Sequence, residues 1–439
     1  MRTNIKYLVT LALSASSLMC FAQANISPAK KQTKTIAITG ATIHVGNGSV
    51  IENGTIVFSN GKIVSVSANG QAPVDDVVRI NASGKHIYPG LIAATTNLGL
   101  AETESIKATL DYQEIGDFNS HIRSIVAYNT DSKVPATLRS NGVLMAQPTP
   151  QGGTVSGSSS VVQLDAWNWE DAAIKKDDAM HMTWPVTPRF RSGFGGFGRP
   201  QVSPEMLNER TQAAINQLTS FFAEAKAYSE MGKAEVINTR FEAMKPVFAG
   251  KEKLFIAAES QKDIVAAVNF AKKFGIVPVI TGADEAYLII DFLKDNNISV
   301  VVKQPHALPN NNDDDVNMPY KNAAVLANAG LNVVLSIDGY WQQRNLPFMA
   351  GTVTAWGLDK EKALSTITLN AAKVMGVDKT TGSIETGKDA TFFISAGDAL
   401  DMRTNKVEQA FIQGRDISLD NLHKQLDKKF SDKYEAEKK

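Results

Sequence analysis

Apolar positions divide the chain into segments of different period. Thr35-Ile36-Ala37-Ile38-Thr39 and Thr55-Ile56-Val57-Phe58 are runs of β-branched and aromatic residues, the composition of strands. Asn60-Gly61 separates Val57-Phe58 from Ile63-Val64-Ser65-Val66, which predicts a hairpin. The same character returns in Ala390-Thr391-Phe392-Phe393-Ile394 and from Val407 to Ile412. Residues 35–88 and 382–417 are therefore expected to form one small composite β-sandwich from both ends of the chain.

Between them, short buried strands alternate with amphipathic helices. Lys253-Leu254-Phe255-Ile256-Ala257-Ala258 reads as a strand, and Asp263 to Lys273 as a helix with Ile264, Val265, Val268 and Ala271 on one face and Gly275 as its stop. Val277 to Thr281, Ile298 to Val302 and Asn332 to Ile337 are the next strands, separated by helical stretches at Asp284–Leu293 and Ala323–Ala329. That rhythm belongs to parallel strands joined by crossover helices. With Leu91-Ile92 and Gly142 to Met145 upstream, the expected fold class is α/β, a (β/α)8 TIM-like barrel over residues 89–381.

Three stretches depart from the rhythm. Residues 185–245 form an insertion containing a glycine- and phenylalanine-rich loop, Arg189 to Pro200, and a long helix from Met206 to Met231. The loop reads equally as a mobile lid or contact loop and as a disordered insertion. Residues 418–439 predict a charged helix whose Leu422, Leu426, Phe430 and Tyr434 make a single apolar stripe, suited to packing or to a subunit contact. At the other end, Arg2 and Lys6 precede an apolar stretch, Tyr7 to Met19, and Ala22-Gln23-Ala24 fits a small-x-small cleavage pattern. Residues 1–24 are thus expected to be a secretory signal and 25–34 a polar tether, with a periplasmic or secreted product. No later apolar run is long enough for a membrane span.

Composition narrows the function classes. The 439 residues carry 45 basic and 45 acidic side chains, a balance that argues against a dedicated nucleic-acid binder. The one cysteine, Cys20, excludes a disulfide framework and a thiolate zinc cluster, and it would leave with the signal. Six histidines are scattered without ligand spacing. His44 and His86 fall in the β segments, His423 on the terminal helix, and His121 and His181 in connecting segments.

Gly84 to Ile92, with Tyr88-Pro89-Gly90-Leu91-Ile92 at its end, resembles the start of the barrel in the amidohydrolase superfamily. Ala363 to Val377 and Thr381-Gly382-Ser383-Ile384-Glu385-Thr386-Gly387-Lys388-Asp389-Ala390 resemble that superfamily's return into the β domain. Tyr128-Asn129, Gly142-Val143, Gly152-Gly153 and Ser156 to Asp171 are similar to its exported imidazolonepropionase-like branch. The resemblance implies hydrolysis of C–N bonds other than peptide bonds, with one or two metal ions activating water and polarising a carbonyl. It also implies a His-x-His pair at the end of the first barrel strand, both rings facing the mouth.

Those positions hold Thr95 and Asn97, neither a good zinc ligand. The histidine expected before Asp263 is replaced by Ala257. Asp338, in Leu335-Ser336-Ile337-Asp338-Gly339, stands where the resemblance places the proton-handling aspartate. The expected site is thus Asp338 as the catalytic group, with Thr95, Asn97, Glu259, Lys303 and His306 as ligand-binding groups and no metal ligands. No cofactor is expected; zinc or another divalent metal belongs to the lineage alone. Three functions stay open: a pseudoenzyme binding a small molecule or a related amidohydrolase subunit, a hydrolase with a rebuilt site using Asp338 as general base, and a structural or envelope-interaction protein using the 189–200 loop and the C-terminal helix. An oligomer through the C-terminal helix is the expected self-association.

Overall fold

The computed structural model describes residues 27–70, 77–186, 203–232, 235–309 and 314–437. Residues 1–24, expected to be a signal, and the loop 189–200 lie outside these residues. The first strands are β1 (Thr35–His44), β2 (Val50–Ser59), β3 (Lys62–Ala68), β4 (Val77–Asn81) and β5 (His86–Pro89). The middle holds β6 (Leu91–Thr96), β7 (Val143–Pro148), β8 (Val155–Ser158), β9 (Val161–Gln163), β10 (Ala173–Lys175), β11 (Ala179–Thr183), β12 (Lys253–Ala258), β13 (Val279–Gly282), β14 (Ser299–Val302) and β15 (Val333–Leu335). The chain returns with β16 (Phe392–Ser395), β17 (Val407–Ile412) and β18 (Arg415–Asp416).

The two ends of the chain share one eight-stranded sheet, ordered β18-β17-β16-β5-β1-β2-β3, with β4 also on β1. They meet where β5 pairs antiparallel with β16, Tyr88 opposite Phe393. A sandwich of two sheets is expected from the strand pattern, but the strands join a single hydrogen-bonded sheet. β1 makes this possible by carrying β4 along Thr35–Thr39 and β5 along Thr42–Ile43. Gly40, at a φ of 81°, lets β1 bulge between the two partners. Phe58, Phe392 and Phe411 pack edge-on or tilted in the core. The Asn60-Gly61 hairpin forms as read, both residues at positive φ, 50° and 79°.

The middle strands fall into two sheets, β10-β9-β7-β6 and β15-β14-β13-β12-β11-β8. β11 to β15 run parallel in chain order, as do β6 and β7. The helix Gln261–Lys273 between β12 and β13 buries Ile264, Ala267, Val268 and Ala271, and Ser260 caps its N-terminus by accepting from Asp263 N. Two features correct the expected eight parallel strands. β8 runs antiparallel to β11, and β9 antiparallel to β7. No closed ring of backbone hydrogen bonds forms among the described residues.

Side-chain packing nevertheless has the order of a barrel. Ile92, Met145, Val161, Ala179, Phe255, Val279, Val301 and Val334, one from each surrounding strand, form a buried inner layer with Ala372 and Met375 of the helix Leu369–Met375. The opposite strand faces pack outward: Leu254, Ile256, Val300, Val302, Val333 and Leu335 join the larger core. Between β15 and β6, Ser336 Oγ donates to Ala94 O at 2.9 Å and meets Thr95 Oγ1 at 2.8 Å. Among the described residues no helix is long and apolar enough to cross a membrane. The 27-residue helix Pro204–Glu230 fills the insertion. The C-terminal helix Leu422–Glu437 leaves its Leu422, Leu426, Phe430 and Tyr434 stripe exposed.

Candidate functional site

The inner layer also sets what lies above it. Two residues further along each strand the side chain points the same way. Met145 is followed by Gln147, Ala179 by His181, Phe255 by Ala257, Val279 by Thr281, Val301 by Lys303, and Val334 by Ser336. Five of these, all but Gln147, line an open cavity of about 340 Å³ together with Thr95, Glu259 and Asp338. Thr149, Gln151 and Ser156 complete its polar side.

Thr95, Glu259, Lys303 and Asp338 of the expected site are therefore brought together. Asn97 is not. The argument that Thr95 and Asn97 face the same way needs a regular strand, and β6 slips register between Ala93 and Thr96. Thr95 sits at a φ of 43°, an outlying conformation for a β-branched residue. Asn97 turns into the interior, and its Oδ1 is buried with no hydrogen-bond partner among the described residues. His306 is also misplaced by the sequence reading. The chain leaves β14 at Val302, and His306 bonds to Thr352 Oγ1 at 2.9 Å and tilts against Tyr320 on the exposed side.

Lys303 occupies the wall between this cavity and a smaller one lined by Tyr287, Leu308 and Met318. It bonds to Glu259 and lies 3.5 Å from Asp284. Burial by itself would pull the ammonium down. The Glu259 bond and the charges of Asp284, Glu259 and Asp338 outweigh that and hold it above its ordinary value. Asp338 is exposed, and its backbone N–H donates to Gln304 Oε1 at 3.0 Å.

His181 is the residue that sequence reasoning missed. It lies on β11, not in a connecting segment. The alternation Ala179-Met180-His181-Met182-Thr183 is the signal that marks it as an inward residue of a strand. Its Nε2 is 2.8 Å from Ser159 Oγ, and Ser159 Oγ donates to Asp178 Oδ1 at 2.7 Å. Gln147 Nε2 donates to Asp178 Oδ2 at 2.7 Å, and Gln147 Oε1 accepts from Thr95 N at 3.1 Å. A buried polar chain thus runs behind the cavity from His181 to Thr95. Burial pushes His181 down to about 3, so the ring is neutral at physiological pH. Burial pushes Asp178 up to about 6 against the opposing bonds from Ser159 and Gln147.

The donor set does not fit a catalytic metal. Zinc takes imidazole, thiolate or carboxylate, normally three from the protein. The positions that should supply histidines here present Thr95 and Ala257, and among the described residues no three His, Cys, Asp or Glu side chains converge suitably.

The layered strands, the cavity at their ends and the β domain shared by both chain ends define an α/β scaffold of barrel type. The model of the Amidohydrolase family matches residues 187–417, just over half of the chain, and the chain belongs to that family. By its curated relatives it is of the imidazolonepropionase-like branch. The imidazolonepropionase of Picrophilus torridus is 21% identical over 370 residues, covering 80% of this chain and 87% of that one. The Flavobacterium psychrophilum imidazolonepropionase is 27% identical over 191 residues, covering 37% and 45%. Among solved structures, an amidohydrolase from Thermotoga maritima MSB8 superposes with a TM-score of 0.73 at 22% identity, over 87% of this chain and 99% of that one. Molinate hydrolase follows at 0.53 and 18%, over 88% and 95%. These likenesses show the fold, a TIM-barrel type with a β domain.

Proposed function

We propose that this amidohydrolase-family chain binds a small molecule in its barrel-mouth cavity and does not carry out the metal-assisted C–N hydrolysis of its lineage. The observation that supports this is the lining itself. A hydroxyl at Thr95 and a methyl at Ala257 stand where the resemblance would need metal ligands. Without them the metal's share of transition-state stabilisation, several kcal/mol, has no holder. The test is elemental analysis of the purified protein after incubation with zinc and dialysis. Substoichiometric zinc is expected. One zinc per chain, lost on chelation together with a hydrolase activity, would overturn the reading.

A second reading is a C–N hydrolase with a rebuilt site, Asp338 acting as general base on water and Lys303 stabilising developing charge. It is favoured by Asp338 and Lys303 lining the same cavity. If a hydrolytic rate were measured and Asp338→Asn left it unchanged, this mechanism would fail. Export is part of the proposal and rests on residues 1–24 alone; a related amidohydrolase subunit or a second copy at the C-terminal stripe is its proposed protein partner.

A further inference from the structure

The buried chain behind the cavity fixes what His181 offers to a ligand. Ser159 has one hydroxyl proton. Its Oγ lies 2.7 Å from Asp178 Oδ1, 2.8 Å from His181 Nε2 and 3.3 Å from Ala179 O. Of the three acceptors around it the ionised Asp178 carboxylate is the strongest and the nearest, so it takes that proton and Ser159 Oγ is left with lone pairs toward His181 Nε2. Nε2 must therefore carry the imidazole proton while Asp178 is ionised, and Nδ1 is left as an acceptor. Nδ1 makes no hydrogen bond among the described residues, and the His181 residue, only 7% exposed, lines the cavity.

The charges around the mouth have one dominant sign. Glu259 and Asp338 line the cavity, and Asp284, Glu285 and Asp314 its smaller neighbour; among the described residues lining the two, the cation is Lys303, itself bonded to Glu259. The Asp338 carboxylate accepts no hydrogen bond among the described residues. A low-dielectric cleft of one sign concentrates ligands of the other. The neutral His181 ring adds an acceptor without adding repulsion, and Met182, Val301 and Val302 give the cavity apolar wall.

We propose that the mouth selects a small planar organic cation, an amidinium or guanidinium, whose N–H groups donate to His181 Nδ1 and to the Asp338 carboxylate. This rests on the reading of the mouth as a ligand site. Asp178 and Ser159 are positioning residues: they hold the His181 tautomer. Other charged groups near them are Lys175, Asp177 and Glu252; Arg123 pairs with Asp177, and Ser158 bonds to Glu252. When Asp178 takes up a proton it becomes a donor, Ser159 can donate to Nε2, and Nδ1 turns from acceptor to donor.

Three isosteric probes test this by NMR titration of the mature protein: benzamidinium, neutral benzamide and benzoate. Benzamidinium should shift the mouth resonances at the lowest concentration and benzoate at the highest. Asp338→Asn should weaken benzamidinium roughly tenfold or more and leave benzamide unchanged. His181 should show 15N shifts of the Nε2–H tautomer at pH 8, moving toward Nδ1–H as the pH falls below about 6. Ser159→Ala should abolish that movement and weaken benzamidinium while leaving the fold intact by circular dichroism. Benzoate binding as tightly as benzamidinium, an Nδ1–H tautomer at pH 8, or benzamidinium affinity indifferent to Asp338→Asn would overturn the ligand class. If benzamide or benzoate bound alone, the ligand site would stand and only the cation would fall; if no probe reached the mouth, both readings would fall together.

Discussion

Two aspartates mark the two ways this chain uses a carboxylate. Asp165 sits at the junction of the sheets. Its oxygens accept from Arg139 Nη1 at 2.5 Å, Arg415 Nη1 at 2.8 Å and Ala29 N at 2.9 Å. Arg415 also donates to Gln163 Oε1 and to Asp165 O, so the last strand of the chain, the β7–β9 sheet and the start of the described chain are tied at one point. Asp338, by contrast, is exposed at the mouth and, among the described residues, bonded only through its own backbone N–H. The same contrast separates two histidines. His44 is used at both ring nitrogens, by Glu361 at 2.7 Å and His86 at 3.1 Å, while its face stacks on Tyr88. His181 is used at one. A charged or polar group whose bonding capacity is filled by the protein holds the fold; one with capacity left over, in a cavity, is set to meet something else.

The strongest test of that division is Asp165→Ala. It would leave the buried Arg139 and the partly buried Arg415 without their counter-ion, and removing one partner of a buried ionic group typically costs about 4 kcal/mol. Urea unfolding should show the loss as a lower midpoint with little change in slope. A loss below about 1 kcal/mol would show that the junction is not what separates Asp165 from Asp338.

Glu252 sharpens the comparison from the pH side. It is 4% exposed and accepts from Ser158 Oγ at 2.7 Å. Burial, with Asp177 and Asp178 nearby, pushes it from 4.5 up to about 8 despite the Ser158 bond. The folded chain therefore keeps a proton that the unfolded chain has released. Stability from this group is full below about 4.5 and is lost as the pH rises through 8. Glu252→Gln keeps a side chain able to meet Ser158 and carries no charge. It should flatten the profile and gain about 5 kcal/mol over the parent at pH 9, with little difference at pH 4. Equal pH profiles for the two proteins would show that the buried carboxyl does not titrate this way.

Much of the scaffold is legible in the residues themselves. β12 spans Lys253–Ala258 as its pattern predicts, because a fully buried strand is a continuous apolar run and the capped helix after it marks its end. Asn60-Gly61 announces its turn through two residues that accept positive φ. The stretch from Asp284 to Leu293 is harder: it resolves into a 3-10 turn, Ala286–Leu288, and a short helix, Ile290–Asp295, since Ile289 breaks from helical geometry between them. The direction of β8 and β9 is not written in their composition; it shows only in their antiparallel pairing with β11 and β7. The mouth was half legible. Lys303 and Asp338 follow from parity along their strands. Asn97 did not, because a slip at Thr95 defeats parity, and such a slip depends on tertiary packing against Ser336 and Gln147.

That slip can be tested directly. A threonine at a φ of 43° stores strain of about 1–2 kcal/mol. Asparagine tolerates the left-handed region, so Thr95→Asn should stabilise by about 1 kcal/mol, part of the relief being offset by the altered bond to Ser336. The melting temperature measures it. A fall of the same size would mean that the Thr95–Ser336 bridge outweighs the backbone strain.

The smallest expected effect on stability is the one that completes the comparison. Asp338→Asn removes a charge from an exposed side chain that accepts no hydrogen bond among the described residues. Lys303, a cation whose charge it meets, keeps Glu259 and Asp284 without it. Surface changes of this kind fall within about 0.5 kcal/mol, and the urea midpoint should stay within that range of the parent. The pairing with Asp165→Ala matters more than either number. Both substitutions remove one carboxylate from the chain, so they change net charge equally. If Asp338→Asn destabilised as much as Asp165→Ala, Asp338 would be a structural group, and the mouth would lose the open acceptor on which its ligand chemistry depends.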